Sequence, residues 1–298
     1  MKLYAPKYYK DFKCIAGECE HSCCIGWEID VDEITLEKYK ALKHGYGATI
    51  MDTVCMDEAP HFKLDTGERC PHLNENGLCK IICNLGEDYL CDICREHPRF
   101  YNFTDVCEVG IGASCPQAAR VILSSTDYAV IEEIGEVDAI ADDVCFDARF
   151  MREEIYKMLG DTSTDYLAHL EKIYKEFQID AYNDTRYLEV LDTLEYLNSE
   201  HKTLFMNYSS AKRPKDEETN KYLERFLAYL IYRHATEAED GEDFCSRLSF
   251  SLFCERLLAS LICRAGAKAL GDVSKLASII SEEIEYSSDN TWALTYFD

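Results

Sequence analysis

The chain has 298 residues, of which 47% are hydrophobic and 29% charged, and its formal net charge is −25 at neutral pH. This composition excludes an intrinsically disordered protein, and no apolar stretch is long enough to span a bilayer. A surface this acidic repels phosphate backbones, so we expect neither nucleic acid nor a membrane as a partner. The opening residues MKLYAPKYY lack the apolar core of a signal peptide, which favours a cytoplasmic location.

The first part of the chain has many turn signals and little helical periodicity. One helix is predicted from Asp32 to Lys43, with Asp32 as its capping residue. A second is predicted to begin at Pro116 and to run to Leu123, because proline suits the first turn of a helix. Between these helices we expect loops and short extended pieces that are held by metal bonds.

From about Phe146 the pattern becomes helical, and apolar residues recur at spacings of three and four. Such repeats predict about six amphipathic helices, with breaks at residues 212–216 and 238–241. The aromatic stripes, such as Phe250 with Phe253, are interpreted as core. The predicted fold is therefore mainly α. An irregular, cysteine-rich, metal-stapled N-terminal module (residues 1–125) packs on a C-terminal all-helical domain (residues 126–298).

Sixteen cysteines are the most unusual feature of the composition, and twelve of them lie at or before Cys115. Disulfides are disfavoured in a reducing cytoplasm. Such a dense set of cysteines therefore indicates metal ligation or thiol chemistry. The remaining four are Cys145, Cys245, Cys254 and Cys263. Neighbours among the last three are nine residues apart, which is two and a half helical turns and places them on opposite faces of a helix, and we interpret all three as small buried hydrophobic residues.

Ten of the twelve N-terminal cysteines fall into two groups and one isolated member, and Cys55 and Cys107 lie outside them. Their positions are Cys14, Cys19, Cys23 and Cys24, then Cys70, Cys79, Cys83, Cys91 and Cys94, and finally Cys115. Neighbouring side chains of an extended backbone point in opposite directions, so Cys23 and Cys24 are expected to serve different partners. Twelve thiols exceed the four that one zinc ion or one cubane cluster needs, so either two centres are present or several thiols are structural. Thiolates suit both metals, and the spacing leaves zinc and iron–sulfur open.

The spacing does exclude one class of iron–sulfur enzyme. Radical S-adenosylmethionine enzymes carry a Cys-x3-Cys-x2-Cys triplet, and this sequence has none. Cys19-x3-Cys23 comes closest, but Gly26 stands where the third cysteine would be.

These segments together resemble a known family. The matching pieces are Lys7-Tyr8-Tyr9, Phe12-Lys13-Cys14, Cys19, Cys23 to Trp27, Asp32 with Thr35 and Tyr39, Cys70 to Leu73, Gly77-Leu78-Cys79, Leu85-Gly86-Glu87, Cys94, Pro98-Arg99 and Ser114 to Ala119. Within the CxxCxxCC-type zinc- or iron-chelating proteins, the chain is similar to the flagellin lysine-N-methylase family. The resemblance spans about residues 7 to 120.

The resemblance implies a cofactor, a reaction and a ligand set. It implies methyl transfer from S-adenosylmethionine to lysines of flagellin, with an iron–sulfur cluster of the 4Fe–4S type, or zinc as the alternative metal. The family pattern assigns eight metal ligands, which are Cys14, Cys19, Cys23, Cys24, Cys70, Cys79, Cys94 and Cys115. It leaves Cys55, Cys83, Cys91 and Cys107 as spare thiols or alternative ligands.

Contacts to S-adenosylmethionine are indicated more weakly, and no catalytic residue is identified. Arg95 and Arg99 flank the Cys94 segment and either hold a cofactor carboxylate or offset thiolate charge. The alternating strands and helices of a Rossmann-type methyltransferase are missing, so the cofactor is expected to bind at the cluster. His72 and His97 stand beside prolines and are interpreted as donors that orient the ligands, or as surface groups.

Two other classes of protein remain open at this point. A non-catalytic module would use its metal only to staple the fold. A thiol redox protein would instead carry an exposed, acidic Cys91-x2-Cys94 pair without metal.

Overall fold

The computed structural model describes residues 1–19, 21–57, 59–140, 146–180, 184–209 and 212–296. They form two compact units. The cysteine unit is Lys13–Pro98, and the helical unit combines Met1–Phe12 with the described residues from Arg99 onward. The predicted domain boundary at residue 125 remains a prediction. The compact units divide the chain elsewhere, because residues on both sides of position 125 share one β-sheet.

The fold is mainly α, as predicted. The α-helices are α1 (Glu33–Ala41), α2 (Gly47–Ile50), α3 (Lys80–Leu85), α4 (Asp92–Glu96), α5 (Pro116–Ser124), α6 (Ala148–Leu159), α7 (Tyr166–Glu176), α8 (Asp184–Thr193), α9 (Ser199–Met206), α10 (Glu217–His234), α11 (Gly241–Ala265), α12 (Leu270–Ile280) and α13 (Ser288–Thr295). The strands are β1 (Lys2–Pro6), β2 (Val54–Cys55), β3 (His61–Phe62), β4 (Arg99–Phe103), β5 (Cys107–Ile111) and β6 (Ile131–Glu136). No helix within the described ranges is both long and apolar enough to cross a membrane.

The helical unit contains a four-stranded sheet in the order β4-β5-β1-β6. The first strand of the chain therefore lies inside the sheet, parallel to β5 and antiparallel to β6. Every residue of β5 is buried. Gly110 is required there, since a Cβ atom would lie 2.3 Å from the ring of Phe100. Sequence analysis predicted only short extended pieces and missed this sheet.

The helices of this unit confirm the predicted apolar stripes. Phe226, Phe250 and Phe253 are fully buried in one large core. The predicted breaks precede α10 and α11, and α11 ends at Gly266, which adopts a left-handed conformation (φ 65°) that favours glycine. The structure has eight α-helices from α6 to α13 in the residues it describes, where about six were predicted.

The C-terminal cysteines follow their prediction in part. Cys254 is buried in the core, as expected of a small hydrophobic residue, whereas Cys245 and Cys263 are only half-buried on the same helix. Cys145 lies outside the described residues.

A buried ion pair joins the sheet to α6. The two terminal nitrogens of Arg152, Nη1 and Nη2, donate to the Glu108 carboxylate at 2.8 and 2.7 Å, and the two side chains are 3% and 2% exposed. Arg152 also donates to the hydroxyl of Thr236 and lies over the ring of Tyr232. These contacts compensate the cost of burying both charges.

A second buried carboxylate, Glu285, closes the π-helix Ser281–Glu285 that follows α12. Its Oε2 accepts hydrogen bonds from Tyr229 (2.7 Å) and His234 (3.0 Å), and the Arg233 guanidinium lies 3.1 Å away. Burial alone would raise the pKa of Glu285, but the charge of Arg233 and these hydrogen bonds lower it to about 2. Burial lowers the pKa of His234 below its usual value of 6.5, against the opposing effect of Glu285.

The cysteine unit has its own core, built on short elements. Helix α1 begins after Asp32, whose carboxylate accepts from the Thr35 amide at 2.9 Å, which confirms the predicted cap. In the helical unit α5 begins at Pro116, also as predicted. Around Tyr39 and Phe62 in the cysteine unit, apolar residues pack with cysteines in one buried cluster.

Candidate metal centre

Five cysteines belong to the core cluster of the cysteine unit, and we call them the inner thiols. They are Cys24, Cys70, Cys79, Cys91 and Cys94. Cys70 and Cys91 are buried, at 5% and 1% exposure, and the other three are half-buried. Four of the five belong to the set of eight predicted ligands. Cys91 does not.

Backbone contacts bring together the segments that carry the inner thiols. The amide of Cys70 donates to the carbonyl of Cys24 at 2.8 Å. Leu73 and Cys79 form an isolated β-bridge, and the amide of Cys94 donates to the carbonyl of Cys91 at 3.0 Å. Cys24 and Cys70, which are far apart in sequence, are thus held side by side by the backbone, and the other two contacts fix the local geometry around Cys79 and around Cys91 and Cys94.

Burial makes thiolates costly at two of these positions. It raises the pKa of Cys70 to about 12, although a hydrogen bond from the His72 backbone opposes the shift. It also raises the pKa of Cys79, against hydrogen bonds from the backbone of Ile82 and Ile81. Such N–H groups aimed at sulfur also tune iron–sulfur ligands in proteins. A bound cation would supply the remaining charge that these thiolates need.

The other inner thiols are paired by hydrogen bonds. A hydrogen bond between Cys91 and Cys94 lowers the pKa of Cys91 and raises that of Cys94. A hydrogen bond with Cys23 lowers the pKa of Cys24 to about 7. Cys91 is thus the thiol of its pair that ionises more readily.

The expectation that Cys23 and Cys24 serve different partners stays a prediction, but the backbone on which it was based differs. It assumed an extended backbone, but both residues lie in a turn, and their side chains form the hydrogen bond just described. Cys23 is exposed and Cys24 half-buried, so the two thiols still differ in their surroundings.

The remaining predicted ligands lie outside the inner thiols. Cys14 is exposed, and Cys19 is half-buried and donates from its Sγ to the carbonyl of His21 at 2.7 Å. Cys115 belongs to the helical unit, where it is half-buried and precedes α5. The structure therefore brings together four of the eight predicted cysteines within one core.

His72 has no ring nitrogen left for a metal in this arrangement. The hydroxyl of Thr53 donates to the carbonyl of Ile50, so the Nε2–H of His72 donates to Thr53, at 3.0 Å. The hydroxyl of Tyr46 then donates to Nδ1 at 2.6 Å. Burial lowers the pKa of His72 to about 4, which keeps the ring neutral.

The two arginines singled out from the sequence lie in different units. Arg95 is part of α4 and pairs with Asp92 and Glu96. In the helical unit, Arg99 donates from Nε to the hydroxyl of Tyr9 at 2.9 Å, and its guanidinium lies over the Tyr9 ring. The structure thus gives the two residues different surroundings.

The donor set of the inner thiols fits a soft, thiolate-ligated metal. Five sulfur donors belong to one core cluster, and zinc and iron–sulfur clusters are bound by four thiolates. Within the ranges that the structure describes, no three His, Cys, Asp or Glu side chains are already spaced as ligands around an ion. The inner thiols therefore fit such a metal by the chemistry of their donor atoms and by their burial.

Comparison with known proteins finds similar sequences among lysine-N-methylases and a flagellar biosynthetic protein. The chain is 28% identical over 140 residues to the lysine-N-methylases of Salmonella choleraesuis (strain SC-B67) and Salmonella typhimurium. It is 29% identical over 140 residues to the flagellar biosynthetic protein FliU of Salmonella muenchen. The predicted resemblance to the flagellin lysine-N-methylase family is confirmed.

The similarity to this family is partial in extent. Each match covers 43% of this chain. The matched part is 34% of the length of either lysine-N-methylase and 80% of the length of FliU. The chain thus spans about a third of the length of the two lysine-N-methylases. No family model matches the chain, and no solved structure matches it.

Sequence reasoning placed Cys91 among the thiols that are either spare or alternative ligands. The available signal was its Cys-x2-Cys spacing from Cys94, which was considered only for a redox protein.

Proposed function

We propose that this chain is a protein-lysine N-methyltransferase that uses S-adenosylmethionine, contains an iron–sulfur centre and acts on flagellin. The observation that carries the proposal is the similarity to two proteins named lysine-N-methylase. The similarity to FliU, named a flagellar biosynthetic protein, supports a flagellar substrate. The buried inner thiols support a metal centre, since soft thiolates favour iron–sulfur clusters and zinc.

The inner thiols would hold the centre, with the other predicted cysteines as candidates for further ligands. A bound cluster with an open iron would supply a Lewis acid for the amine nitrogen and a carboxylate oxygen of S-adenosylmethionine. Because the sulfurs lie among apolar side chains such as Phe62 and Leu73, the unit would keep water from much of the centre.

The reaction forms a bond between the lysine nitrogen and a methyl carbon while the bond from that carbon to the sulfonium breaks. The lysine must first lose its proton, because its free pKa is about 10.4. A desolvated site lowers that pKa and favours the neutral amine. The products are methyl-lysine, S-adenosylhomocysteine and a proton.

The metal centre is tested by purifying the whole chain without air and measuring iron, labile sulfide and zinc, together with visible absorption. We expect iron and sulfide in equal amounts. Zinc alone at full occupancy under these conditions would contradict the iron–sulfur centre. Air-exposed material does not decide the question, because clusters oxidise.

The activity is tested by mass spectrometry of flagellin that has been incubated with metal-loaded protein and S-adenosylmethionine. We expect mass increases in units of one methyl group on lysine-containing peptides. Incubation without cofactor is the control. No increase, with cofactor binding also absent, would favour a non-catalytic metal module.

Arg99 is the proposed cofactor contact that can be tested without altering a thiol. Arg99→Gln removes a charge-assisted hydrogen bond to the cofactor carboxylate, so affinity should fall roughly tenfold to a hundredfold. Iron content should not change. Equal cofactor affinity in the variant and the wild type would remove Arg99 from the binding site.

A further inference from the structure

Helix α1 holds the segment Asp88–Asp92 by four side chains in succession. Lys38 donates to the carbonyl of Asp88 (2.9 Å), Tyr39 to that of Tyr89 (2.6 Å) and Thr35 to that of Leu90 (3.4 Å). The carboxylate of Asp32 accepts from the amide of Asp92 at 2.9 Å. The segment that carries Cys91 is therefore fixed residue by residue.

Tyr39 also reaches Cys91 itself. Its hydroxyl lies 3.6 Å from the Cys91 sulfur, and the tyrosine is completely buried. The same hydroxyl donates to the carbonyl of Tyr89, so it contacts both the backbone of the segment that carries Cys91 and the sulfur itself. A buried tyrosine hydroxyl is thus aimed at a buried thiol.

Cys91 differs in this respect from the three other N-terminal cysteines outside the family pattern. Cys83 is exposed on α3, and the thiol of Cys55 donates to the carboxylate of Asp57 at 2.9 Å. Cys107 is buried, but in the helical unit. Of these four cysteines, Cys91 alone lies among the inner thiols.

We propose that Cys91 is a ligand of the metal centre, placed by Tyr39, so that the centre of this chain uses a thiolate outside the eight-cysteine pattern. The inference rests on the metal centre of the proposed function and assigns one of its ligands. Cys91 would act with Cys94, its hydrogen-bonded neighbour at the start of α4. With Cys24, Cys70 and Cys79, the core then offers five sulfur donors where four complete a cluster or a zinc site.

The test compares Cys91→Ser with Cys83→Ser in whole chains purified without air. Cys83→Ser is the matched control, because it removes a nearby thiol that is exposed and lies outside the inner set. We expect Cys91→Ser to lose at least half of its iron and sulfide, and the control to keep both. Full metal content and an unchanged visible spectrum in Cys91→Ser would overturn the assignment and leave the proposed function standing.

Tyr39→Phe tests the positioning role, because it removes only the hydroxyl. We expect metal content to remain and the reduction potential or visible spectrum of the centre to shift, since contacts to ligand sulfurs tune both. A purely structural tyrosine would change unfolding but leave these two properties as in the wild type, and that result would overturn its part in the proposal.

A direct measurement covers the case in which Cys91→Ser does not fold. Wild-type chain loaded with ¹¹³Cd²⁺ shows scalar coupling from the metal to the β protons of each ligating cysteine. Coupling at Cys91 supports the assignment. Coupling at other inner cysteines but not at Cys91 overturns it, and a chain that binds neither iron, zinc nor cadmium overturns both this proposal and the metal centre.

Discussion

A buried charged residue contributes most to the stability of the fold where its partner is held in place. Arg152 and Glu108 satisfy each other with two short hydrogen bonds inside the helical unit, whereas Lys157 and Glu154, also on α6, pair at the surface. Removing one partner of a buried pair leaves the other charge uncompensated, while exposed pairs contribute little. Loss of one partner should therefore lower the free energy of unfolding much more for the buried pair than for the exposed pair, although both pairs involve α6.

Glu108→Gln should lower the free energy of unfolding of the helical unit by about 3 kcal/mol, because Arg152 keeps a buried charge without a counter-charge. Glu154→Gln is the matched control and should cost less than about 0.5 kcal/mol. Urea denaturation followed by circular dichroism measures both. Similar losses of stability in the two variants would show that burial does not increase the contribution of the pair between Arg152 and Glu108.

Glu285 predicts a specific dependence on pH. Its folded pKa of about 2 lies below its usual value of 4.5, so its stabilising effect is complete above pH 4.5 and is lost as the pH falls towards 2. The free-energy advantage of wild type over Glu285→Gln should shrink across that window by on the order of 3 kcal/mol. Denaturant unfolding at stepwise pH measures it, with Glu242→Gln as an exposed control. A difference that stays constant from pH 5 to pH 2 would contradict the low pKa.

Among the elements, α1 connects local sequence to the candidate centre. Asp32 caps α1 through Thr35 and also binds the amide of Asp92, so one carboxylate serves the first turn of two helices. Tyr39, two turns later, lies beside Cys91. A short helix thereby sets the position of a distant thiol.

Asp32→Ala should cost about 1 to 2 kcal/mol in the cysteine unit, because it leaves backbone amides of both helices without an acceptor. Hydrogen exchange followed by mass spectrometry should show faster exchange at residues 33–36 and 92–95. The exposed Asp30→Ala is the comparison and should leave both segments unchanged. If only residues 33–36 respond, Asp32 does not link the two helices.

Much of the helical structure follows from local signals, and much of the site does not. The cap at Asp32 and the proline at position 116 predicted the starts of α1 and α5, because both act within one helical turn. Burial of Cys91 depends on Tyr39, 52 residues earlier in the chain. The sheet depends on β1 pairing with strands that begin at residues 107 and 131. Periodicity within a short window contains no information about such partners.

On the scale of the whole molecule, the two units differ in what holds them together. The helical unit has long helices around an extensive apolar core, whereas the cysteine unit combines short elements with a small core that contains five thiols. In the proposed metal-bound state, ligand bonds add to the stability of the cysteine unit. Loss of the metal should therefore affect the two units unequally.

Removal of the metal with a chelator should make residues 13–98 sensitive to protease while the helical unit resists. Fragments are identified by mass spectrometry after timed digestion, and metal-loaded protein is the control. Because β1 is an inner strand, the peptide containing residues 1–12 should co-elute with the large C-terminal fragment after cleavage. Equal protection of residues 13–98 with and without metal would show that the centre does not support the fold.

The position of β1 also has a consequence for synthesis on the ribosome. Its parallel partner β5 ends at Ile111, so the strand at residues 2–6 is made about a hundred residues before it can pair. At translation rates of about 5 to 20 residues per second, this wait lasts on the order of 5 to 20 seconds. Residues 13–98 are all synthesised within it. The cysteine unit can therefore fold, and bind the proposed metal, while the helical unit is still incomplete, so the order of translation favours loading of the proposed centre first.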